Sequence, residues 1–254
     1  MTVQKTSVSD LSIAGFVPLS TIDWPDTLCA TVFLQGCPWQ CVYCQNRELI
    51  DPRACGQVEW ADVRQFLTRR RGLLDAVVFS GGEATRQPAL KAAIANVREL
   101  GFKVGLHTAG AYPARFAEIV RDVDWVGLDI KALPSKYSSI IGADAGVKAW
   151  QCLDILLAEV ERRREFTDSQ LRYEVRTTVF PESDVAADLP AILAMLRKRG
   201  VETFALQEAR TRGTSPAFQE SARTWDIAQW RETWNGLVKA VESAQFHTSL
   251  IRPA

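Results

Sequence analysis

The chain alternates between two hydrophobic periods. Short β-branched and apolar runs recur at 29–35 (CATVFLQ), 75–80 (DAVVFS), 103–107 (KVGLH), 125–130 (WVGLDI), 172–180 (RYEVRTTVF) and 203–207 (TFALQ), and each reads as a strand. The longer segments VEWADVRQFLTRR, PALKAAIANVREL, PARFAEIVRD, AWQCLDILLAEVERRR and LPAILAMLRKRG place apolar residues three or four apart, as an amphipathic helix requires. In the last of them Leu189, Ile192, Leu193 and Leu196 share a face, and Gly200 offers a stop. A final helix is predicted from about Thr224 through Ala244. Strands alternating with helices imply crossover units and a mainly parallel sheet. Six strands are too few for a complete eightfold barrel, so the expected fold is α/β, an open or partial (β/α)6 TIM-like barrel. Function is then expected at the C-terminal ends of the strands. No linker, repeat or low-complexity tract interrupts the pattern, so one domain is expected over 1–254, with a core of about 28–210, an N-terminal extension and a C-terminal helix.

Composition narrows the function classes. A chain of 254 residues is long enough to bury roughly 75% of its unfolded surface. Thirty Lys and Arg balance thirty Asp and Glu, which speaks against a general nucleic-acid binder. The one basic run, Arg69 to Arg71 with Arg64 beside it, ends a helical pattern and reads as a solvated face. No apolar run approaches the ~20 residues needed to cross a bilayer, so no membrane association is expected. The opening stretch MTVQKTSVSDLSIAGF lacks the continuous apolar segment of a secretory signal. The expected location is cytoplasmic, where cysteines stay reduced.

Six cysteines in such a chain make no disulfide scaffold. Cys29 and Cys152 fall in a strand run and a helical run and are expected to pack as small apolar residues. Cys37, Cys41 and Cys44, within GCPWQCVYCQN, are different: three thiols in eight residues, spaced C-x3-C-x2-C, in a chain whose only histidines are His107 and His247. A structural zinc site closes a tetrahedron with four ligands, and a [4Fe–4S] cluster normally takes four cysteines. Three thiolates on a cubane leave one iron with an open position for a small molecule.

Other unusual residues fall at the ends of the predicted strands. SGGEATRQ follows the second, HTAG ends the third, LDIK ends the fourth and Arg176 lies in the fifth. Glycines such as Gly81 and Gly82 allow close backbone approach, and Glu83 can accept a hydrogen bond from a ligand's ammonium. A planar guanidinium at Arg176 suits a bidentate carboxylate contact. An ion pair with Glu174 is the less attractive use of Arg176, because both lie on one face of the same strand.

C-x3-C-x2-C with Tyr43 before its last cysteine resembles the signature of the radical S-adenosylmethionine (SAM) superfamily. The resemblance implies a [4Fe–4S] cluster on Cys37, Cys41 and Cys44, with SAM chelating the unique iron and cleaved there to a 5′-deoxyadenosyl radical. Gly81-Gly82-Glu83 resembles the family's glycine-rich SAM motif. Asp129 and Lys131 resemble the Asp-x-Lys segment of glycyl-radical-enzyme activases, where the lysine helps hold SAM and the aspartate lies by a cation or polar network. Arg176 corresponds there to an arginine that reaches the methionyl carboxylate, and Thr108 is left to contact the ligand. Where activases often carry Asp-Thr-Asn-Gly, this chain has His107 and Ala109, which puts a monovalent cation site in doubt, since alkali cations prefer oxygen ligands. Ala84, Arg86 and CQNR also depart from the usual pattern.

The stretches GFVPLSTIDWPDTLCATVFLQGCPWQCVYCQN, SGGEATRQPAL, DWVGLDIKALPSKYSSIIG and YEVRTTVFPES are similar to activating proteins of anaerobic ribonucleoside-triphosphate reductase and, more widely, to the pyruvate formate-lyase activase group. That resemblance implies an oxidoreductase, partnered by a glycyl radical enzyme such as anaerobic ribonucleotide reductase and by a flavodoxin or ferredoxin type electron donor. A radical SAM enzyme acting on a small molecule, similar to 7-carboxy-7-deazaguanine synthase, is the alternative. A non-catalytic zinc-binding module is a remote one.

Overall fold

The computed structural model describes residues 7–166 and 169–254. Its elements in chain order are β1 (Ile13–Ser20), β2 (Cys29–Leu34), α1 (Trp60–Thr68), β3 (Ala76–Gly81), α2 (Leu90–Glu99), β4 (Lys103–Thr108), α3 (Pro113–Ile119), β5 (Trp125–Asp129), α4 (Tyr137–Ile141), α5 (Gly146–Phe166), β6 (Arg172–Val179), α6 (Asp184–Lys198), β7 (Thr203–Glu208), α7 (Pro216–Ala222), α8 (Ile227–Ser243) and β8 (Thr248–Arg252). Part of the opening stretch read for a secretory signal, residues 1–6, lies outside the described residues.

The six expected strands are β2 to β7, and they stand side by side in parallel, in sequence order. Two unexpected strands extend the sheet: β1 runs antiparallel to β2, and β8 runs parallel to β7. β1 carries Gly15 and Pro18, both poor strand formers, and its register slips near each of them. β1 and β8 pair with one neighbour each, so the sheet stays open as a partial α/β barrel. Among the described residues no helix is long and apolar enough to cross a membrane.

Alternation along each strand sorts residues to two sides. Ala30, Val32 and Leu34 of β2, Val77 and Phe79 of β3, and Val126 and Leu128 of β5 join the large core beneath the helices. The intervening Cys29, Ala76, Val78 and Trp125 form a second, small cluster around Trp24, on the opposite face. Trp24, from the β1–β2 connection, stacks on Trp125 at 5.6 Å between centroids and fills one end of this inner face. Gly127 makes room beside it: a Cβ there would stand 2.7 Å from the Trp125 ring and 2.9 Å from an Arg176 nitrogen. The inner face toward the other strand ends is polar.

Helix limits follow local capping. The LPAILAMLRKRG helix begins earlier than its apolar period suggests, because the Ser183 side chain accepts from the Ala186 N–H and caps α6 there. The predicted final helix is α8, capped by Asp226, whose carboxylate accepts from the Gln229 N–H at 3.0 Å. Cys29 and Cys152 are buried in apolar clusters, as expected of packing residues.

Candidate active site

Parallel register brings the strand ends to one edge. Leu34 lies beside Gly81, Thr108 beside Leu128, Asp129 beside Arg176, and Gln207 beside Arg252. They surround a cavity of about 870 Å³. Cys37, Cys41, Cys44, Tyr43, Gly81, Gly82, Thr108, Asp129, Lys131 and Arg176 all line it; Glu83 does not.

The cysteine loop is held by its own backbone. Gly36 and Cys37 donate N–H bonds to Leu49 and Ile50 carbonyls at 2.8 and 3.0 Å, and Gln40 and Val42 donate to Ile141 and Ile140 of α4 at 3.1 and 2.9 Å. On the other side Gly82 donates to Leu34 O and Glu83 to Gly36 O, both at 2.9 Å. A Cβ on Gly82 would stand 2.5 Å from Gly36 O, and one on Gly81 2.2 Å from Leu34 N. The Gly-Gly pair therefore lets two loops lie backbone against backbone, fixing the cysteine loop as well as opening room at the cavity wall.

Glu83 is the knot behind that wall. It is 1% exposed. Its Oε1 accepts from the Thr85 hydroxyl at 2.5 Å, the Thr108 hydroxyl at 2.7 Å and the Thr85 N–H at 3.1 Å, while Oε2 accepts from the Ala109 N–H at 2.9 Å. The Thr108 hydroxyl in turn accepts from the Gly110 N–H at 3.0 Å. One buried carboxylate thus ties the end of β3 to the end of β4, and its satisfied bonds offset the cost of burying its charge. In this arrangement Glu83 and Thr108 face each other.

A chain of charges runs along the cavity wall, with Lys131 Nζ 5.5 Å from the Tyr43 ring centroid. Asp129 Oδ1 accepts from Arg176 Nε at 2.7 Å, and Oδ2 accepts from Lys131 Nζ at 2.9 Å. Burial works against the carboxylate's ionisation, but Arg176 and then Lys131 outweigh it and hold Asp129 below the usual carboxylate range. Burial likewise opposes the charge on Lys131, and Asp129 overturns it, holding the ammonium well above its ordinary value. Arg176 Nη2 donates to Gly127 O at 3.4 Å, and Nη1 lies 3.2 Å from His107 Nδ1. A guanidinium only donates, so Nδ1 is the acceptor. The imidazole hydrogen is then on Nε2, which donates to Asp23 O at 2.6 Å.

His107 is therefore a neutral bridge between the β1–β2 connection and Arg176. Burial first, and Arg176 next, lower it to about 4. An unfolded chain protonates this histidine below about pH 6.5. Since the folded state refuses that proton until about pH 4, acid is expected to remove stability progressively through that window. Urea unfolding of the metal-free protein between about pH 7 and about pH 4 checks this, and His107→Gln is expected to flatten that part of the profile relative to the parent.

Glu174, weighed from the sequence only as a partner of Arg176, has a second and closer cation in Arg252, which the sequence did not mark. Glu174, 2% exposed, lies 3.9 Å from Arg176 Nη1 but takes both its short bonds from Arg252 of β8, at 2.8 and 2.8 Å. The run TSLIR has no polar–apolar alternation, so it is the pairing of β8 with β7, which sets Arg252 beside Gln207, that brings this cation to the wall.

The donor set fits a thiolate-held cluster. The three thiols open on one cavity, and burial pushes Cys37 up to about 12 and raises Cys41, so binding metal must displace their protons. The Tyr43 hydroxyl is buried with no hydrogen-bond partner among the described residues, leaving a polar group that a ligand could satisfy. Among the described residues no three His, Cys, Asp or Glu side chains close around a point as a single metal ion would require.

The family model described as "Radical SAM superfamily" matches residues 31–167, the stretch that runs from β2 through α5. The chain belongs to the radical SAM superfamily, a class of enzymes built on SAM and a [4Fe–4S] cluster. It is 34% identical over 134 residues to the Methanocaldococcus jannaschii protein named "Putative glycyl-radical enzyme activating enzyme MJ1227", covering 51% of this chain and 54% of that one. It is 30% identical to the pyruvate formate-lyase-activating enzyme of Clostridium pasteurianum, over 47% and 58% of the two chains. It is also 35% identical to the 7-carboxy-7-deazaguanine synthase of Methanopyrus kandleri, over 42% and 50%. The chain spans about half the length of the curated relatives it matches. The solved structure of Streptococcus suis SuiB bound to the precursor peptide SuiA shares the fold, with a TM-score of 0.62 at 13% identity over 87% of this chain and 47% of SuiB.

Proposed function

We propose that this protein is a glycyl-radical-enzyme activase, with anaerobic ribonucleoside-triphosphate reductase as its partner and a flavodoxin or ferredoxin as its electron donor. The observation that carries the reading is the convergence, on one cavity, of three cysteines and the Lys131–Asp129–Arg176 cluster, with Lys131 Nζ 5.5 Å from the Tyr43 ring centroid. Relatives named as activating enzymes support the choice of partner class. Cys37, Cys41 and Cys44 hold the [4Fe–4S] cluster. When bound, the cluster and SAM together supply a 5′-deoxyadenosyl radical able to take a hydrogen atom from a glycine Cα. Tyr43, with its unpartnered hydroxyl, Gly81 and Gly82 border the SAM site beside the cysteines, and Lys131, which lies over the Tyr43 ring, and Arg176 present cations to its carboxylate. Asp129 holds both cations in place. Glu83 and Thr108 shape the wall through their mutual bond. The open sheet leaves a side through which a polypeptide loop can enter.

Mixing the reconstituted, reduced protein with SAM and an anaerobic reductase is expected to raise the doublet of a glycyl radical in the electron paramagnetic resonance spectrum. Absence of that signal, with the cluster intact and 5′-deoxyadenosine formed, would turn the reading toward a small-molecule substrate. The likeness to a 7-carboxy-7-deazaguanine synthase favours that second reading.

A further inference from the structure

We infer that Arg252, presented by β8, is a positioning residue of this site: it occupies Glu174 and so leaves Arg176 on Asp129. The inference rests on the reading of the cavity as a SAM site. Glu174 and Arg176 are two residues apart on β6, so their side chains share the inner face. Glu174 is almost fully buried, and such a carboxylate demands a cation. Arg176 is within 3.9 Å of it and would answer that demand if nothing else did. Arg252 answers first. Its Nη1 and Nη2 each donate to one Glu174 oxygen at 2.8 Å, the fork geometry that suits a carboxylate, and Nη1 also donates to Gln207 Oε1 at 3.1 Å. Arg176 is thereby free to set Nε on Asp129 at 2.7 Å and Nη1 on His107. Asp129 in turn fixes Lys131. The arrangement of the two cations offered to the ligand therefore depends on a strand that the family match, ending at residue 167, does not reach.

The test is a double-variant cycle on anaerobically reconstituted protein, with SAM affinity measured by equilibrium dialysis and iron content measured alongside. Arg252→Ala is expected to weaken SAM binding roughly tenfold or more, as Glu174 draws Arg176 away from Asp129. Adding Glu174→Gln removes the competing charge and is expected to restore affinity to within about threefold of the parent. This double variant leaves no unpaired buried charge, so it is the form expected to fold even where Arg252→Ala does not. Thermal unfolding of the metal-free proteins should show the same coupling: a lowered midpoint in Arg252→Ala, recovered in the double variant. A merely structural role for β8 would not let a second substitution on β6 return SAM affinity. Unchanged binding in Arg252→Ala, or weak binding that persists in a folded double variant, would overturn the inference. A parent protein with full iron that binds no SAM would overturn the SAM-site reading, and this inference with it.

Discussion

Replacing any one of Cys37, Cys41 or Cys44 by alanine is expected to abolish cluster assembly and SAM cleavage together. The effect is all-or-none because the loop offers no substitute donor: the remaining cysteines are buried elsewhere or, at Cys55, exposed on a different part of the chain, and His107 is spent between Asp23 and Arg176. Two thiolates leave two irons of a cubane without protein ligands, and such a cluster is lost to solvent. The parent, reconstituted without oxygen, is expected to carry about four irons per chain with an absorbance shoulder near ~400 nm, and each variant to lose both. The fold should survive. Gly36, Cys37, Gln40 and Val42 hold the loop through backbone N–H groups, which alanine retains. Far-ultraviolet circular dichroism of the metal-free variants should therefore match the parent. A variant that kept its iron and still released 5′-deoxyadenosine would remove the basis for the cluster assignment.

The sequence made the cysteine loop and the six central strands legible because both are local patterns. Three thiols in eight residues and period-2 apolar runs need no knowledge of what lies across the molecule. β1 and β8 were hidden for the opposite reason: Gly15 and Pro18 weaken one run, and the other is five residues long, so each is a strand only because a neighbour pairs with it. Glu83 shows the same limit at the level of a side chain. Its place in a Gly-Gly-Glu turn suggests an acceptor for a ligand's ammonium, yet its oxygens take bonds from Thr85, Thr108 and Ala109, the last two being contacts across 25 and 26 residues of sequence. The glycines likewise read as room for a ligand, while their closest constraint is the backbone of residues 34 to 36. Arg176 and Glu174 do form an ion pair, but a long one at 3.9 Å, with the short bonds of each made elsewhere: Arg176 to Asp129 and Glu174 to Arg252. What local sequence could not supply was Arg252, 78 residues from Glu174, as the cation that takes the short bonds of Glu174.

Asp129→Asn should test how far function and stability share one carboxylate. Asp129 bonds both Lys131 and Arg176, one on each oxygen. The amide has a single oxygen, so it can accept from Arg176 or from Lys131 but turns its NH2 donor toward the other cation. Two buried cations would then face each other with their shared counter-charge gone. Breaking a buried pair in this way costs about 3–5 kcal/mol, and urea unfolding of the metal-free variant is expected to show a loss of that size near neutral pH. The cost should shrink only in strong acid. Because Arg176 and Lys131 hold the Asp129 carboxyl below its ordinary value, the parent keeps this stabilisation at neutral pH and loses it only as pH falls through that lowered value. SAM affinity should fall by roughly thirtyfold or more, corresponding to about 2 kcal/mol, since both cations offered to the ligand lose their anchor. Adding Lys131→Met separates the two effects. Removing the second cation is expected to recover much of the lost stability, because a buried charge pair replaced by apolar volume is often close to neutral. It cannot recover SAM binding if Lys131 and Arg176 contact the ligand. A double variant that regained stability and affinity together would show that Asp129 and Lys131 serve the fold alone, and would move the ligand away from this wall.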